Sequence, residues 1–262
     1  MKILFNKYHG TGNDFIMIDN RESQINGSDS GIIAKMCNRH FGIGADGLIL
    51  IEKDSGEDFR MKYFNADGKE ATMCGNGGRC AVAFAAQLGI ISDKGTFTAA
   101  DGVHRASINS GVITLGMNNT KLPDERGEYL FLDTGSPHII VETGNCDDID
   151  VDIRGRELRW SEQFAPEGVN VNFMEKIKDG TIMVRTYERG VEAETLSCGT
   201  GVTAAAIASC YGSGPGKYSI DIITRGGKLS VGFTIKEGRA SEITLTGDTR
   251  FVFEGIIDTS LL

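Results

Sequence analysis

One eight-residue pattern, E-x-x-x-C-G-x-G, occurs twice in this sequence and constrains its fold more than any other feature. The copies span residues 70–77 and 194–201, nearly half the chain length apart. A small, apolar, Ala-rich segment of helical length follows each copy, at residues 79–88 and 202–211. The repeat predicts two similar half-molecules, each with one cysteine at the start of a buried helix.

Length and charge bound the class of protein. The chain of 262 residues can form one large domain or two small ones. Its net charge of -9 disfavours nucleic acid and anionic membranes as partners. No apolar run approaches the ~20 residues that span a bilayer, and the first residues lack the apolar core of a signal peptide. We therefore expect a cytoplasmic protein whose six cysteines are reduced thiols.

Short alternating or apolar segments predict strands through both halves. In the first half these are residues 1–6, 15–18, 48–51 and 59–63, then short strands with Gly-rich turns from 96 to 116, with a short helix at 32–38. In the second half they include 129–132, 138–141, 169–174, 181–187, 219–224, 229–235, 242–246 and 251–253. The predicted fold class is α/β (α+β), in which each half is a curled, mostly antiparallel sheet wrapped around a central apolar helix.

Residues 42–47 match the dinucleotide fingerprint G-x-G-x-x-G, but their context differs from that of a nucleotide site. The fingerprint should follow a strand and open a helix. Here the apolar run 48–51 follows and predicts a strand. We therefore interpret the glycines as a turn between two elements.

Cys74 and Cys198 are the candidate reactive residues. At a helix N-terminus, the helix dipole and unsatisfied N–H groups stabilise a thiolate and lower the pKa of the cysteine. Neighbouring glycines let the carboxylate of a ligand approach the same N–H groups. Two such cysteines suit the inversion of a carbon centre, in which one thiolate removes a proton and an opposite thiol returns one.

Other roles for the cysteines stay open at this point. Free cysteine is often a small buried apolar residue. We interpret the other four cysteines in this way, namely Cys37, Cys80, Cys146 and Cys210. A zinc site would need close pairs such as C-x-x-C, which the sequence lacks. A disulfide between Cys74 and Cys198 is disfavoured in the cytoplasm.

Motifs along nearly the whole chain resemble those of diaminopimelate epimerases. In the first half they are H-G-T-G-N-D-F from His9, G-I-G-A-D from Gly42, F-N-A-D-G from Phe64 and M-C-G-N-G from Met73. In the second half they are G-S-P-H from Gly135, V-N-V from Val169, Y-E-R-G from Tyr187 and C-G-T-G from Cys198. The resemblance implies two pseudo-symmetric halves, residues 1–117 and 118–249, with the last strand, about 250–262, returning to the first half. The polar stretch 118–127 is the expected linker.

The resemblance also implies a function. Members interconvert LL- and meso-2,6-diaminopimelate in lysine and peptidoglycan synthesis, without pyridoxal phosphate, metal or any other cofactor. A homodimer with neither nucleic-acid nor membrane partners is implied as well. Matched residue by residue, Cys74 and Cys198 are the acid/base pair, and His138 and Glu188 are further catalytic residues. The implied substrate contacts are Asn13, Asn65, Gly75, Asn76, Asn170, Glu188, Arg189, Gly199 and Thr200.

The chemistry of these residue types suits a long substrate with two amino-acid ends. Asparagines both donate and accept, Arg189 offers a bidentate fork for a carboxylate, and Glu188 suits an ammonium group. Three alternatives remain: a proline or hydroxyproline racemase with two cysteines, a related isomerase without the thiol pair, and a non-catalytic thiol switch. We expect Glu70 and Glu194 only to cap their helices.

Overall fold

The computed structural model describes residues 1–262, except for the side chain of residue 261. The chain divides into two compact units, one formed by Met1–Leu115 with Gly247–Leu262 and the other by Gly116–Thr246. Both units are mixed α/β and consist mostly of strands. The fold class predicted from the sequence is confirmed.

The first unit begins with two strands that form a hairpin around Thr11 and Gly12. Its strands are β1 (Lys2–Gly10), β2 (Asn13–Asp19), β3 (Gly47–Glu52), β4 (Phe59–Asn65), β5 (Lys94–Ala99), β6 (Gly102–Asn109) and β7 (Val112–Gly116). Its helices are α1 (Ser30–Cys37) and α2 (Gly75–Gln87).

The second unit is built, like the first, from many strands and two α-helices. Its strands are β8 (Thr120–Lys121), β9 (Asp124–Arg126), β10 (Tyr129–Asp133), β11 (Pro137–Glu142), β12 (Asn170–Lys178), β13 (Thr181–Glu188), β14 (Ala193–Thr195), β15 (Gly216–Thr224), β16 (Gly227–Lys236) and β17 (Arg239–Asp248). Its helices are α3 (Val151–Arg159) and α4 (Gly199–Ser209). The chain ends in β18 (Arg250–Asp258), which pairs antiparallel with β1 of the first unit, and a 3-10 helix (Thr259–Leu261).

The two units repeat one order of strand directions. In the first, β1 and β2 are antiparallel, β2 and β3 parallel, β3 and β4 antiparallel, and β4 and β5 parallel. In the second, β10, β11, β12, β13 and β15 follow the same alternation. The sequence repeat is therefore a repeat of structure as well.

Each unit places its apolar helix against the inner face of its strands. Helix α2 packs on β1 to β4, and α4 packs on β10 to β13, β15 and β16. Residues 75–82 of α2 and 201–208 of α4 are buried without interruption, as expected for a helix that is apolar on every side. Gly89 ends α2 with φ +70°, a conformation that glycine adopts without a Cβ penalty.

Two segments differ from the sequence-based expectation. The predicted linker, residues 118–127, contains β8 and β9, which pair with β17 and β10. Helix α3 has no counterpart in the prediction because its sequence is largely polar, and it buries only Val151, Gly155, Leu158 and Arg159. At Gly155 the helix packs so closely that an added Cβ atom would lie 2.4 Å from Tyr187 Cβ.

The expectation that Glu70 and Glu194 cap helices is wrong. The residues at the N-cap positions are Cys74 and Cys198. Glu194 instead lies on β14, where its two carboxylate oxygens accept hydrogen bonds of 2.7 Å from Nε and Nη2 of the buried Arg185. Glu70 is exposed.

We predict that Glu194→Gln destabilises the protein strongly. The change leaves the guanidinium of Arg185, which is 5% exposed, without its carboxylate. Removing one partner of a buried pair costs about 3 to 5 kcal/mol. The free energy of unfolding in urea measures this loss, and Glu70→Gln, at the equivalent position of the first copy, is the matched control. Equal effects of the two substitutions would show that the Arg185–Glu194 pair is not a main support of the second unit.

Candidate active site

Cys74 and Cys198 occupy equivalent positions, one residue before α2 and α4. Their backbones are alike, with φ -100° and ψ 126° at Cys74 and φ -117° and ψ 114° at Cys198. Each carbonyl accepts the first bond of its helix, from Gly78 N at 2.7 Å and Val202 N at 2.9 Å. Neither side chain caps its helix. Each thiol therefore lies beside helix N–H groups that attract an anion.

In the first unit, Cys74 lies against two asparagines. Its Sγ donates to Asn13 Oδ1 at 3.6 Å, and Asn76 Nδ2 donates to the same oxygen at 3.4 Å. Asn13 Nδ2 donates in turn to Asp46 Oδ2 at 2.8 Å. Because a carboxylate only accepts hydrogen bonds, Asp46 fixes the Asn13 amide with its oxygen towards Cys74.

Charged groups hold Asp46 in place. Arg39 Nη2 lies 2.7 Å from a carboxylate oxygen of Asp46 and 2.7 Å from one of Asp14. Lys7 Nζ lies 2.7 Å from the other oxygen of Asp14. Burial alone would raise the pKa of Asp14, but the hydrogen bonds from Arg39 and Lys7 hold it well below its usual range. Asp14 is therefore ionised at neutral pH, and the network gives Asn13 a rigid support.

Arg79 is a fully buried cation on the first turns of α2. Its Nη2 donates to Asn76 Oδ1 at 2.9 Å and to Thr11 Oγ1 at 3.4 Å, and its Nη1 donates to Gly75 O at 3.3 Å. Burial lowers its pKa, and the charge of a thiolate on Cys74 acts in the opposite direction. The guanidinium thus fixes the Asn76 amide and adds positive potential near Cys74.

In the second unit, Cys198 lies against a hydroxyl group. Its Sγ is 3.5 Å from Thr200 Oγ1, and that oxygen is 3.0 Å from Nε2 of His138. Thr134 Oγ1 donates to the carbonyl of Thr200 at 2.9 Å, which anchors the first turn of α4. The other ring nitrogen of His138, Nδ1, is 3.1 Å from Asn172 Nδ2.

His138 is buried completely and is neutral at physiological pH. Burial, together with the nearby charge of Arg189, lowers its pKa to about 3. The ring cannot take up a proton easily in this environment, so it acts through the hydrogen bonds of its neutral form.

Asn170, Glu188 and Arg189 meet where β12 begins and β13 ends. Asn170 Oδ1 accepts from Arg189 N at 2.8 Å, and its Nδ2 donates to Pro137 O at 3.1 Å. Glu188 is the last residue of β13. Asn65 is the last residue of β4 and is exposed, and its backbone closes a turn with Gly68 and Lys69. The sequence-based site residues therefore form separate groups within each unit.

Comparison with known proteins identifies the family. A family model described as diaminopimelate epimerase matches residues 5–112 and 130–252. A relative from Flavobacterium psychrophilum named diaminopimelate epimerase is 48% identical over 252 residues, which cover 96% of this chain and 98% of the relative. One from Aquifex aeolicus, with the same name, is 40% identical and covers 98% of this chain and 99% of its own. The chain belongs to the diaminopimelate epimerase family.

Solved structures of other proteins share the fold. A Bacillus anthracis phenazine biosynthesis protein of the PhzF family superposes with a TM-score of 0.77 at 15% identity, covering 98% of this chain and 99% of its own. A hydroxyproline epimerase from Agrobacterium vitis superposes with a TM-score of 0.69 at 16% identity, covering 98% and 92%. The family predicted from the sequence motifs is confirmed, and with it the prediction that the chain is an epimerase.

Within this family site, sequence reasoning missed three supporting residues, Asp46, Arg79 and Asn172. Asp46 belongs to the quoted G-I-G-A-D motif and Arg79 begins the Ala-rich segment 79–88, but neither received a role. Asn172 had an available signal, because the strand period of two places it on the same face as Asn170. A supporting residue whose partners are distant in sequence can be recognised only when the pairing of the strands is known.

The glycines of residues 42–47 have a packing role. A Cβ atom on Gly42 would lie 2.0 Å from Lys35 O, at the end of α1, and one on Gly47 would lie 2.5 Å from Phe64 O. Strand β3 follows directly, so the turn does not open a helix. The interpretation of this stretch as a turn agrees with the structure.

The other four cysteines are buried, as the sequence indicated. Burial raises the pKa of Cys37 and of Cys146 to about 12, and raises that of Cys80 and Cys210 as well. These thiols remain protonated at neutral pH. Among the described residues, no helix is long and apolar enough to span a membrane.

We predict that His138 makes stability depend on pH. Its pKa is 6.5 when unperturbed and about 3 in the fold, so below pH 6.5 only the unfolded chain takes up the proton. As the pH is lowered from 6.5, the free energy of unfolding should decrease by about 1.4 kcal/mol per pH unit, until the pH reaches the pKa of His138 in the folded protein. Urea unfolding at several pH values should show a shallower slope in His138→Gln than in the wild type. The control His40→Gln, at an exposed position, should keep the wild-type slope. Equal slopes in all three proteins would mean that His138 takes up a proton in the folded protein as readily as in the unfolded chain.

Proposed function

We propose that this epimerase interconverts LL- and meso-2,6-diaminopimelate by a two-base mechanism. The observation that carries the proposal is the repeated cysteine at the start of a buried helix, in a chain of this family. One cysteine, as the thiolate, takes the proton from the α-carbon. The other, as the thiol, gives its proton to the opposite face of that carbon. The two sulfurs exchange protonation states in each turnover, so the reverse reaction uses the same groups.

The helix N-termini supply the electrostatic part of the mechanism. The backbone N–H groups of Gly75, Asn76, Gly199 and Thr200 bind the carboxylate next to the reacting carbon. Charge that develops on this carboxylate as the proton leaves is stabilised by the N–H groups and the helix dipoles. The buried charge of Arg79 acts in the same sense. This stabilisation lets the reaction proceed without pyridoxal phosphate.

The distal amino-acid end of the substrate needs groups of both signs. We assign its carboxylate to Arg189, as a bidentate fork, and its ammonium group to Glu188. The amides of Asn13, Asn65 and Asn170 supply further donors and acceptors. Asn170 already holds the backbone of Arg189, which supports a joint role for this pair.

The roles of His138 and Glu188 in the chemistry differ. His138 Nε2 lies 3.0 Å from Thr200 Oγ1, which lies 3.5 Å from Cys198 Sγ, so His138 acts on the thiol through that hydroxyl group. Glu188 assists as the hydrogen-bond acceptor that holds the distal ammonium group and so keeps the reacting carbon in place. We place the reaction in lysine and peptidoglycan synthesis and in the cytoplasm, where thiols stay reduced.

A proline or hydroxyproline racemase is the alternative with the same two-cysteine chemistry. The likeness to the hydroxyproline epimerase is 16% in identity and concerns the fold, whereas relatives named diaminopimelate epimerase reach 48%. A small cyclic substrate would also make no use of a distal Glu188–Arg189 pair. Diaminopimelate is therefore the substrate we propose.

We predict that Cys74→Ala and Cys198→Ala each abolish epimerisation, because one face of the carbon then lacks its acid or base. The assay follows conversion of LL-diaminopimelate and incorporation of solvent deuterium at the α-carbon. Cys210→Ala removes a buried thiol outside the helix starts and should keep wild-type turnover. Proline and hydroxyproline serve as comparison substrates. Full turnover in Cys198→Ala would exclude two bases, and faster exchange with proline than with diaminopimelate would favour the racemase.

We also propose that the protein forms a homodimer. Strands β1 and β18 expose neighbouring apolar side chains, with Leu4 opposite Ile256 in the strand register. Leu4 is 55% and Ile256 67% exposed, and Phe251 and Phe253 are about half exposed. Apolar side chains clustered in this way are typical of an interface.

If this surface is the dimer interface, Ile256→Asp should shift the protein to a monomer. Light scattering after size-exclusion chromatography measures the mass of 28.2 kDa for one chain or twice that value. Ile153→Asp, at a similarly exposed position on α3, is the control and should remain dimeric. A monomeric wild type across the accessible concentration range would contradict the proposal.

A further inference from the structure

Asn172, on β12, is a fully buried amide whose hydrogen bonds are all satisfied. Its Nδ2 donates to Ile139 O at 3.1 Å and lies 3.1 Å from Nδ1 of His138. Its Oδ1 accepts from Thr186 Oγ1 at 2.9 Å. Because the carbonyl of Ile139 can only accept, the amide nitrogen must be on the side that faces His138.

The orientation of this amide determines the tautomer of the imidazole. Nδ1 of His138 accepts a hydrogen from Asn172, so the neutral ring carries its proton on Nε2. The Nε2–H group then donates to Thr200 Oγ1 at 3.0 Å. The low pKa of His138, about 3, agrees with a ring that carries one proton.

The tautomer in turn directs the hydroxyl of Thr200. Since its oxygen accepts from His138, the hydroxyl hydrogen is available to another acceptor, and Cys198 Sγ lies 3.5 Å away. A hydrogen bond donated to sulfur favours the thiolate over the thiol. The opposite tautomer would draw the hydroxyl hydrogen to Nε2 and away from Cys198.

Gly201 leaves room for this arrangement. A Cβ atom at this position would lie 2.3 Å from Asn172 Oδ1 and 3.3 Å from Cys198 Cβ. The last residue of the second C-G-x-G motif must therefore be glycine, because a side chain there would collide with the asparagine on β12. The motif and the asparagine belong to one arrangement around Cys198.

We propose that Asn172 is a positioning residue that promotes the thiolate form of Cys198 by fixing the tautomer of His138 and, through it, the direction of the Thr200 hydroxyl. The path is Asn172 Nδ2–H to Nδ1, Nε2–H to Oγ1, and O–H to Sγ. The use of that thiolate as a base rests on the proposed function, whereas the tautomer and the reactivity of the sulfur do not.

The tautomer is tested directly by nuclear magnetic resonance. Two-bond proton–nitrogen correlation spectra of the ring nitrogens distinguish the two forms, and the four histidines are assigned with His138→Gln. We expect an unprotonated Nδ1 and a protonated Nε2 for His138 in the wild type. A proton on Nδ1 would overturn this proposal. It would not contradict the proposed epimerase activity, which the assays of the cysteine variants test separately.

The effect on sulfur is tested with Asn172→Asp, which keeps the shape and offers Nδ1 only an acceptor. The rate at which iodoacetamide alkylates Cys198, followed by peptide mass spectrometry without substrate, should fall about tenfold, as for a shift of one pKa unit. Asn145→Asp adds the same charge at an exposed position of the second unit and should leave this rate unchanged. An unchanged rate in a folded Asn172→Asp protein would overturn the proposal.

Thr200 variants distinguish the relay from the field of the new charge. In Thr200→Val the hydroxyl is absent, so adding Asn172→Asp should cause no further loss in alkylation of Cys198. In Thr200→Ser the hydroxyl remains, and the loss caused by Asn172→Asp should return. The same loss in the valine background would mean that the carboxylate acts through space, and the relay would be excluded. Circular dichroism checks that each variant is folded.

Discussion

The rest of this structure depends on the interaction between negative charge and the N–H groups at the start of a buried helix. The first N–H groups of a helix have no acceptor within the helix, and at α2 and α4 neither cysteine side chain caps them. That arrangement costs stability unless an anion or a polar side chain is nearby. It is favourable for a thiolate or a substrate carboxylate, because both gain from the helix dipole. The fold thus creates, at Cys74 and at Cys198, positions where negative charge is stabilised before any substrate binds.

The two units keep the same backbone at these positions but surround the sulfur with different partners. Cys74 faces the amide oxygen of Asn13, which a carboxylate at Asp46 holds in place. Cys198 faces a hydroxyl, which a neutral imidazole holds in place. An acceptor favours a thiol and a donor favours a thiolate, although the buried charge of Arg79 favours negative charge at Cys74. A duplicated fold with different side chains can therefore place its two cysteines in unlike environments.

Much of this could be predicted from the sequence, and the exceptions have a common physical cause. The repeat, the apolar helices and the alternating strands depend on local periodicity, so they were predicted correctly. Helix α3 was missed because its apolar stripe is narrow. The expected linker contains two short strands, because β8 pairs with the distant β17 and β9 with the neighbouring β10. Glu194 was assigned to a helix cap, but its partner Arg185 lies on β13, the strand that pairs with β14. Asp46, Arg79 and Asn172 likewise act through contacts that sequence spacing does not reveal.

The shared motif C-G-x-G shows how one pattern can serve two physical needs. In the first copy, a Cβ atom at the last glycine, Gly77, would lie 3.0 Å from a terminal methyl of Ile49, so the glycine makes room for apolar packing. In the second copy, Gly201 makes room for the oxygen of Asn172, whose hydrogen bonds leave it no freedom to move. A flexible methyl can adjust by a few tenths of an ångström, whereas a fully bonded amide in the core cannot without losing a hydrogen bond. The identical glycines therefore carry unequal constraints, and the second is the one tied to the polarity around its cysteine.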